Sequence, residues 1–162
     1  MDLHTPRFTT RQVANLAGFS PSTLRNWTGV MFGVQPGDSV RAGEKGEATR
    51  FNLRMVYQAA IARRLIEAGV DREVAFGAGA RFAHTAHGDR YPGQLFARGA
   101  TVLVYVPGVG DGADSVRLVN TPNLRTIELG DLFFGGTGGC VAVLVNTVVL
   151  EINERIEATI PK

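Results

Sequence analysis

FTTRQVANLAGFSPSTLRNW, residues 8–27, carries the start and stop signals of two short helices joined by a tight turn. Thr9 is a good N-cap, and Gln12 three residues on completes a capping-box pattern. Val13, Leu16 and Ala17 then share one face of a first helix. Gly18 suits the end of that helix, because it takes the left-handed conformation without a Cβ clash. Ser20 caps the next helix, and Pro21 occupies its first position, where no N–H is needed. Leu24 and Trp27 are expected to face inward, and Ser22, Thr23, Arg25 and Asn26 outward.

This layout predicts a helix-turn-helix. The outward set has the chemistry that a DNA major groove calls for. Arg25 can donate a fork of hydrogen bonds to guanine or phosphate, Asn26 can pair with adenine, and Ser22 and Thr23 can bond to phosphate or base edges. Arg11, in the first helix, joins them as a candidate DNA contact. On spacing alone, an ordinary helical hairpin with a polar outer face is the competing reading.

The stretch resembles the amino-terminal DNA-binding domain of the MerR family of transcriptional regulators. Val13, Ala14, Ala17, Gly18, Ser20, Pro21, Thr23, Leu24 and Arg25 carry the resemblance, with Trp27 at a position where the family has an aromatic residue. Arg50-Phe51-Asn52 is similar to the family's wing-closing Arg-x-aromatic-Ser segment. The likeness continues through the following helix to Glu67-Ala68-Gly69-Val70 and ends near Ala80, about half of the chain. It implies a winged helix-turn-helix that reads double-stranded DNA.

The connection 28–49 is rich in glycine and holds Arg41 and Lys45, with Arg50 at its far end. A wing of this kind places basic residues over the phosphate backbone. A surface loop with solvated charges is the alternative. By alignment the segment is about half a dozen residues longer than the family's wing. Arg50 suits a phosphate contact or an internal brace of the wing. Asn52 can cap a helix in which Leu53, Val56, Tyr57, Ala60, Ile61 and Leu65 form an apolar stripe. Arg54, in its first turn, is either a phosphate contact or a solvated arginine. Asp71 can cap a further helix to about Phe82, weakened by Gly77 and Gly79 at ~1 kcal/mol each relative to alanine. The family's long pairing helix is not visible after it. Residues 83–92 read as a linker. His84, His87 and Asp89 within it are close enough in sequence to raise a metal site, but no other His or Cys cluster completes one, and solvated histidines are the expectation.

From Gln94 the pattern becomes strand-like. TVLVYV (101–106), SVRLV (115–119) and VAVLV (141–145) read as strands, the last buried by its unbroken apolar run. Residues 125–129 and 132–134 read as short strands. Asn146 or Thr147 can cap a closing helix with Val149, Ile152, Ile156 and Ile160 at helical spacing. Residues 108–113 match the dinucleotide pattern Gly-x-Gly-x-x-Ala, but a strand, not a helix, is expected to follow, so a hairpin loop is the reading. The glycine run 135–139 lacks a phosphate-loop lysine. Cys140 reads as an inert buried thiol. No paired carboxylates or Ser-His-Asp arrangement stand out, and neither an enzyme nor a cofactor is expected.

The chain has 162 residues, 44% of them hydrophobic and 20% charged, and one cysteine, so no intramolecular disulfide can form. Its opening MDLHTPRF has no apolar core of a signal peptide, and no apolar run approaches the ~20 residues that span a bilayer. A cytoplasmic protein without membrane contact is expected. Net charge is +2, but residues 1–90 hold twelve Lys/Arg against eight Asp/Glu, and residues 91–162 hold five against seven. The basic excess thus lies on the half expected to meet phosphate.

The expected fold is α+β: a MerR-like winged helix-turn-helix domain over residues 1–82, then a β-rich domain over 93–162 closed by a helix. The second is expected to serve self-association, partner binding or effector sensing. The expected function is a sequence-specific transcriptional regulator, a homodimer that could also engage RNA polymerase. The rivals are an excisionase-like architectural protein that bends DNA and, more remotely, a small enzyme with its site in the second half.

Overall fold

The computed structural model describes residues 2–28, 39–40, 48–108, 115–122, 128–134 and 138–159. Arg41, Lys45, most of the glycine turn after Gly108, residues 125–127 and much of the turn 135–139 lie outside the described residues.

The fold is α+β. Strand β1 (Phe8–Thr9) leads into helix α1 (Thr10–Ala17), and α2 (Pro21–Thr28) follows. Strands β2 (Ser39–Val40) and β3 (Arg50–Phe51) complete a small antiparallel sheet in the order β1-β3-β2. Helices α3 (Leu53–Glu67) and α4 (Arg72–His84) come next. Strands β4 (Ala100–Tyr105), β5 (Val116–Thr121) and β6 (Val141–Leu144) form a second antiparallel sheet with β4 in the middle. The short α5 (Leu129–Leu132) precedes β6, and α6 (Val145–Thr159) closes the chain.

Helix α3 is the central post. Leu53, Met55, Val56, Ala59, Ile61, Ala62 and Leu65 are all buried, so the helix is covered on most sides. It begins at Asn52, whose Oδ1 accepts from the Met55 N–H at 3.2 Å, a hydrogen-bonded cap inside the core. It ends where Gly69 takes a φ of 89° and Val70 N–H returns to the Leu65 carbonyl at 3.0 Å. Helix α4 folds back on α3 at close range, because Gly79 presents no side chain to the Gln58 backbone.

The two halves share a hydrophobic core. Val13, Leu24, Phe51 and Phe76 of the first half belong to the same cluster as Leu103, Val143, Val145, Val148, Ile152 and Ile156 of the second. Strand β4 is buried on both faces, which explains its unbroken apolar run. Leu103 faces that shared core, while Val102 and Val104 join Val106, Val119 and Phe134 in a smaller cluster across the sheet.

Residues 85–93 are a packed turn, not the expected linker. Arg90 is 2% exposed. Its Nη1 donates to the carbonyls of Phe82, Tyr91 and Gln94 at 2.9, 3.1 and 3.1 Å, and its Nη2 to those of Arg81 and Thr85. The two Nη atoms carry four N–H donors in a fixed fork, so one side chain can gather carbonyls from the end of α4 and from the turn that follows it. Burial lowers the Arg90 pKa from its ordinary value.

Other local expectations also change. The last helix starts at Val145, and Asn146 does not cap it: its Oδ1 accepts the Thr101 N–H at 2.6 Å, tying α6 to the start of β4. Residues 129–132 are a helical turn, not strand. No described helix is long and apolar enough to cross a membrane.

Candidate nucleic-acid interface

The site candidate is built on α1 and α2. The capping box at the start of α1 is complete: the Gln12 N–H donates to Thr9 Oγ1 at 3.3 Å, and the Thr9 N–H to Gln12 Oε1 at 2.9 Å. Gly18 ends α1 at φ 82°, and the Phe19 N–H reaches the Ala14 carbonyl at 2.9 Å. Ser20 caps α2, its Oγ accepting the Thr23 N–H at 3.0 Å. Helix α1 begins and ends, and α2 begins, where the capping residues place them.

Aromatic packing seats α2. Leu24 is 1% exposed. Trp27 meets the edges of Phe19 and Phe76 with ring centres 5.5 and 5.9 Å apart, and Phe19 stacks on Phe76 at 5.9 Å. Arg63 lies over Phe19 and Arg72 over Trp27. The helix is thereby fixed through one face to α4, and its opposite face is exposed among the described residues.

That face carries Ser22, Arg25 and Asn26, all exposed, and Thr23, half-buried. Ser22 and Thr23 hydroxyls lie 3.0 and 2.7 Å from Ser20 Oγ, so they share their hydrogen bonds with the cap. Arg25 and Asn26 are the larger donors on this surface. Arg11 is exposed in the first turn of α1. Arg50 pairs with Thr9 across the β1–β3 ladder, and its Nη1 donates to the Arg7 carbonyl at 3.2 Å. This is the bracing role for Arg50, and it places the residue beside the start of α1. Arg54 is half-buried, its aliphatic stem against Gly93, where an added Cβ would come 2.8 Å from Arg54 Cγ. Its packing departs from the free, solvated arginine that its helix position allowed.

One sequence signal was missed by motif reading. Residues 3–37 contain no Asp or Glu but include Arg7, Arg11 and Arg25. No carboxylate on either helix offsets these guanidiniums, a local contrast that the whole-chain charge of +2 hides.

The other candidates resolve differently. His84 is half-buried with Nε2 2.9 Å from Gln58 Oε1, and the Gln58 amide donates to the Phe76 carbonyl at 3.1 Å. His84 therefore belongs to the α3–α4 packing and is not a solvated linker residue. His87 is exposed and meets Phe96 edge-on. No group of three or more His, Cys, Asp or Glu that could hold a metal ion occurs among the described residues. Cys140 is half-buried and stands beside the smaller core cluster. Ile152 and Ile156 of α6 are buried in their own chain, and Val149 packs against the same core, so this face of α6 is not available for pairing two subunits. No protein-family model matches this chain, and neither does any curated protein.

Proposed function

We propose that the protein binds double-stranded DNA through α2 and acts as a sequence-specific transcriptional regulator of the MerR-like type. The observation that carries this reading is the exposed pair Arg25 and Asn26 on a helix whose other face is anchored by Leu24 and Trp27, within a stretch free of acidic residues. Arginine and asparagine are the side chains that make paired hydrogen bonds to guanine and adenine edges. Arg11, near the start of α1, is assigned to phosphate, with Arg41 and Lys45 on the connection between β2 and β3, while Arg50 braces β3 through the Arg7 carbonyl. Specific binding by a single short module is weak, so a homodimer is part of the proposal. With Ile152 and Ile156 buried, pairing is assigned to an outer edge of the β5-β4-β6 sheet. RNA polymerase is the proposed further partner.

The test is selection of bound duplexes from a random library by the full-length chain, followed by binding titrations at fixed salt. A recurring motif bound at least a hundredfold more tightly than scrambled duplex is expected. Equal binding to selected and scrambled duplexes would overturn the reading. A bending assay on the selected site separates a regulator of this type from an architectural factor.

A further inference from the structure

A cavity of about 530 Å³ lies between the start of the chain and the end of its last helix. Phe8, Leu16 and Ile156 supply its apolar surface, and Arg7 and Arg155 supply its charge. No carboxylate is among the described residues that line it. Its volume lies in the range of sites for small organic molecules, which are typically ~300–1,000 Å³.

The two arginines are held from different elements. Arg155, on α6, donates from Nη1 to the Leu16 carbonyl at 2.6 Å, in the last turn of α1. Its Nη2 forms an ion pair with Glu151 at 3.8 Å, and both residues also line a smaller neighbouring cavity with Arg63, Arg64 and Glu67. Arg7 stacks over the Phe8 ring with its Cζ 4.9 Å from the centroid. Arg155 is thus part of a network in which three arginines, Arg63, Arg64 and Arg155, face two carboxylates, Glu67 and Glu151, and with Arg7 the rim of the larger cavity keeps a positive surplus. Glu151 itself is also bonded to Arg64 at 2.6 Å.

We infer that this cavity binds a small amphipathic monocarboxylate. Its apolar body fills the space between Phe8, Leu16 and Ile156. Its carboxylate accepts charge-assisted hydrogen bonds from Arg155 and Arg7, the fork geometry for which guanidinium is suited. A neutral molecule of the same shape leaves the positive rim without an anion. A cationic one meets repulsion from both arginines. The site involves none of the groove-facing residues of α2, so ligand binding is measurable without DNA and does not depend on the DNA-binding reading.

The test uses the full chain with decanoate and 2-naphthoate, each against its neutral alcohol, by calorimetry and by methyl NMR of Leu16 and Ile156. At least one acid is expected to bind at least tenfold more tightly than its alcohol and to shift both methyl resonances. Arg7→Gln, which leaves the Arg155–Leu16 bond in place, is expected to weaken that acid at least threefold. Ile156→Trp, which fills the cavity, is expected to abolish the shifts; its circular dichroism checks that the fold persists, and Leu16→Phe fills the same space if it does not. Saturable binding by neither acid below 5 mM would overturn the inference. So would an alcohol binding as tightly as its acid, or acid binding that survives a folded cavity-filling variant.

Discussion

Gly79 lies against the Gln58 carbonyl so closely that a Cβ built on it would stand 2.5 Å from that oxygen. This contact sets how near α4 comes to α3, and α4 in turn carries Phe76, against which Phe19 and Trp27 pack. A backbone contact two helices away thus helps to position α2.

Gly79→Ala is therefore expected to destabilise the fold, because the obstruction is backbone and cannot rotate aside. Overpacking of this kind costs about 1–3 kcal/mol, more than the helix propensity gained. Gly77, one of the same helix's glycines, has nothing within 4 Å of its added Cβ. Gly77→Ala should stabilise by about 0.5–1 kcal/mol through the unfolded chain's lost freedom. Urea midpoints of the two variants should move in opposite directions. A shift in the same direction for both would contradict this account of the helix crossing.

Arg90 makes a second prediction. Its guanidinium serves five carbonyls and is buried, so Arg90→Ala leaves several of them without a donor. Hydrogen bonds to a charged group are worth about 1.5–3 kcal/mol, and neighbouring losses do not add fully. A total loss of at least about 3 kcal/mol is expected. Arg90→Lys should recover less than half of it, since three donors on one nitrogen cannot reach the spread of acceptors. Chemical denaturation checks both; an unchanged midpoint for Arg90→Ala would show that the turn at 85–93 is held by other contacts.

Tyr57 ties α3 to α6, its hydroxyl donating to Asn153 Oδ1 at 2.9 Å. Burial raises its pKa above the ordinary 10.0. Raised in the fold, this acid ionises first in the unfolded chain. Its contribution is fully present below about pH 10 and is lost as pH rises through the higher folded value. Tyr57→Phe should cost about 1 kcal/mol at neutral pH. Its stability should then fall less steeply above pH 10 than that of the parent. Parallel alkaline limbs in the two proteins would rule out this linkage.

The legible parts of the sequence were those governed by local rules. The capping box at Thr9 and Gln12, the turn at Gly18 and the caps at Ser20, Asn52 and Asp71 each depend on residues within a few positions, and each forms as the pattern indicates. TVLVYV forms a strand as its composition indicates, but the full burial expected of VAVLV fails: β6 ends at Leu144, only Val143 of it is buried, and the strand buried on both faces is β4 in the middle of the sheet. What local rules miss is long-range packing. Gly77 and Gly79 look alike in sequence, yet only the second meets another backbone. The segment 83–92 has the composition of a linker, but the acceptors that hold Arg90 are created by the end of α4. Asn146 is a plausible cap until β4 supplies the Thr101 N–H. The contacts between the two halves likewise join residues more than eighty positions apart, as in the hydrogen bond of Tyr57 with Asn153 and the exposed ion pair of Arg64 with Glu151. At the candidate site, the exposure of Arg25 and Asn26 follows from helix periodicity, whereas the bracing of Arg50 against Arg7 depends on strand pairing.

The DNA-binding proposal separates two kinds of arginine. Arg25 lies exposed on α2, assigned to a base edge, while Arg11 lies exposed on α1, assigned to phosphate. Loss of a base contact costs about 1–3 kcal/mol and relaxes selectivity at one position; loss of a phosphate contact weakens all sequences alike and lowers the salt slope by about one. Arg25→Ala should therefore narrow the gap between the selected duplex and scrambled DNA. Arg11→Ala should reduce both affinities together and leave the gap nearly unchanged. Neither side chain contributes to the core, so both variants should unfold at about the parent's midpoint, which keeps a binding defect distinct from a folding one. The measurement is a pair of salt titrations for each variant, on selected and on scrambled duplexes. Full-strength specific binding by Arg25→Ala would overturn the assignment of Arg25 to a base edge and leave Asn26 as the one large donor on the exposed face of α2.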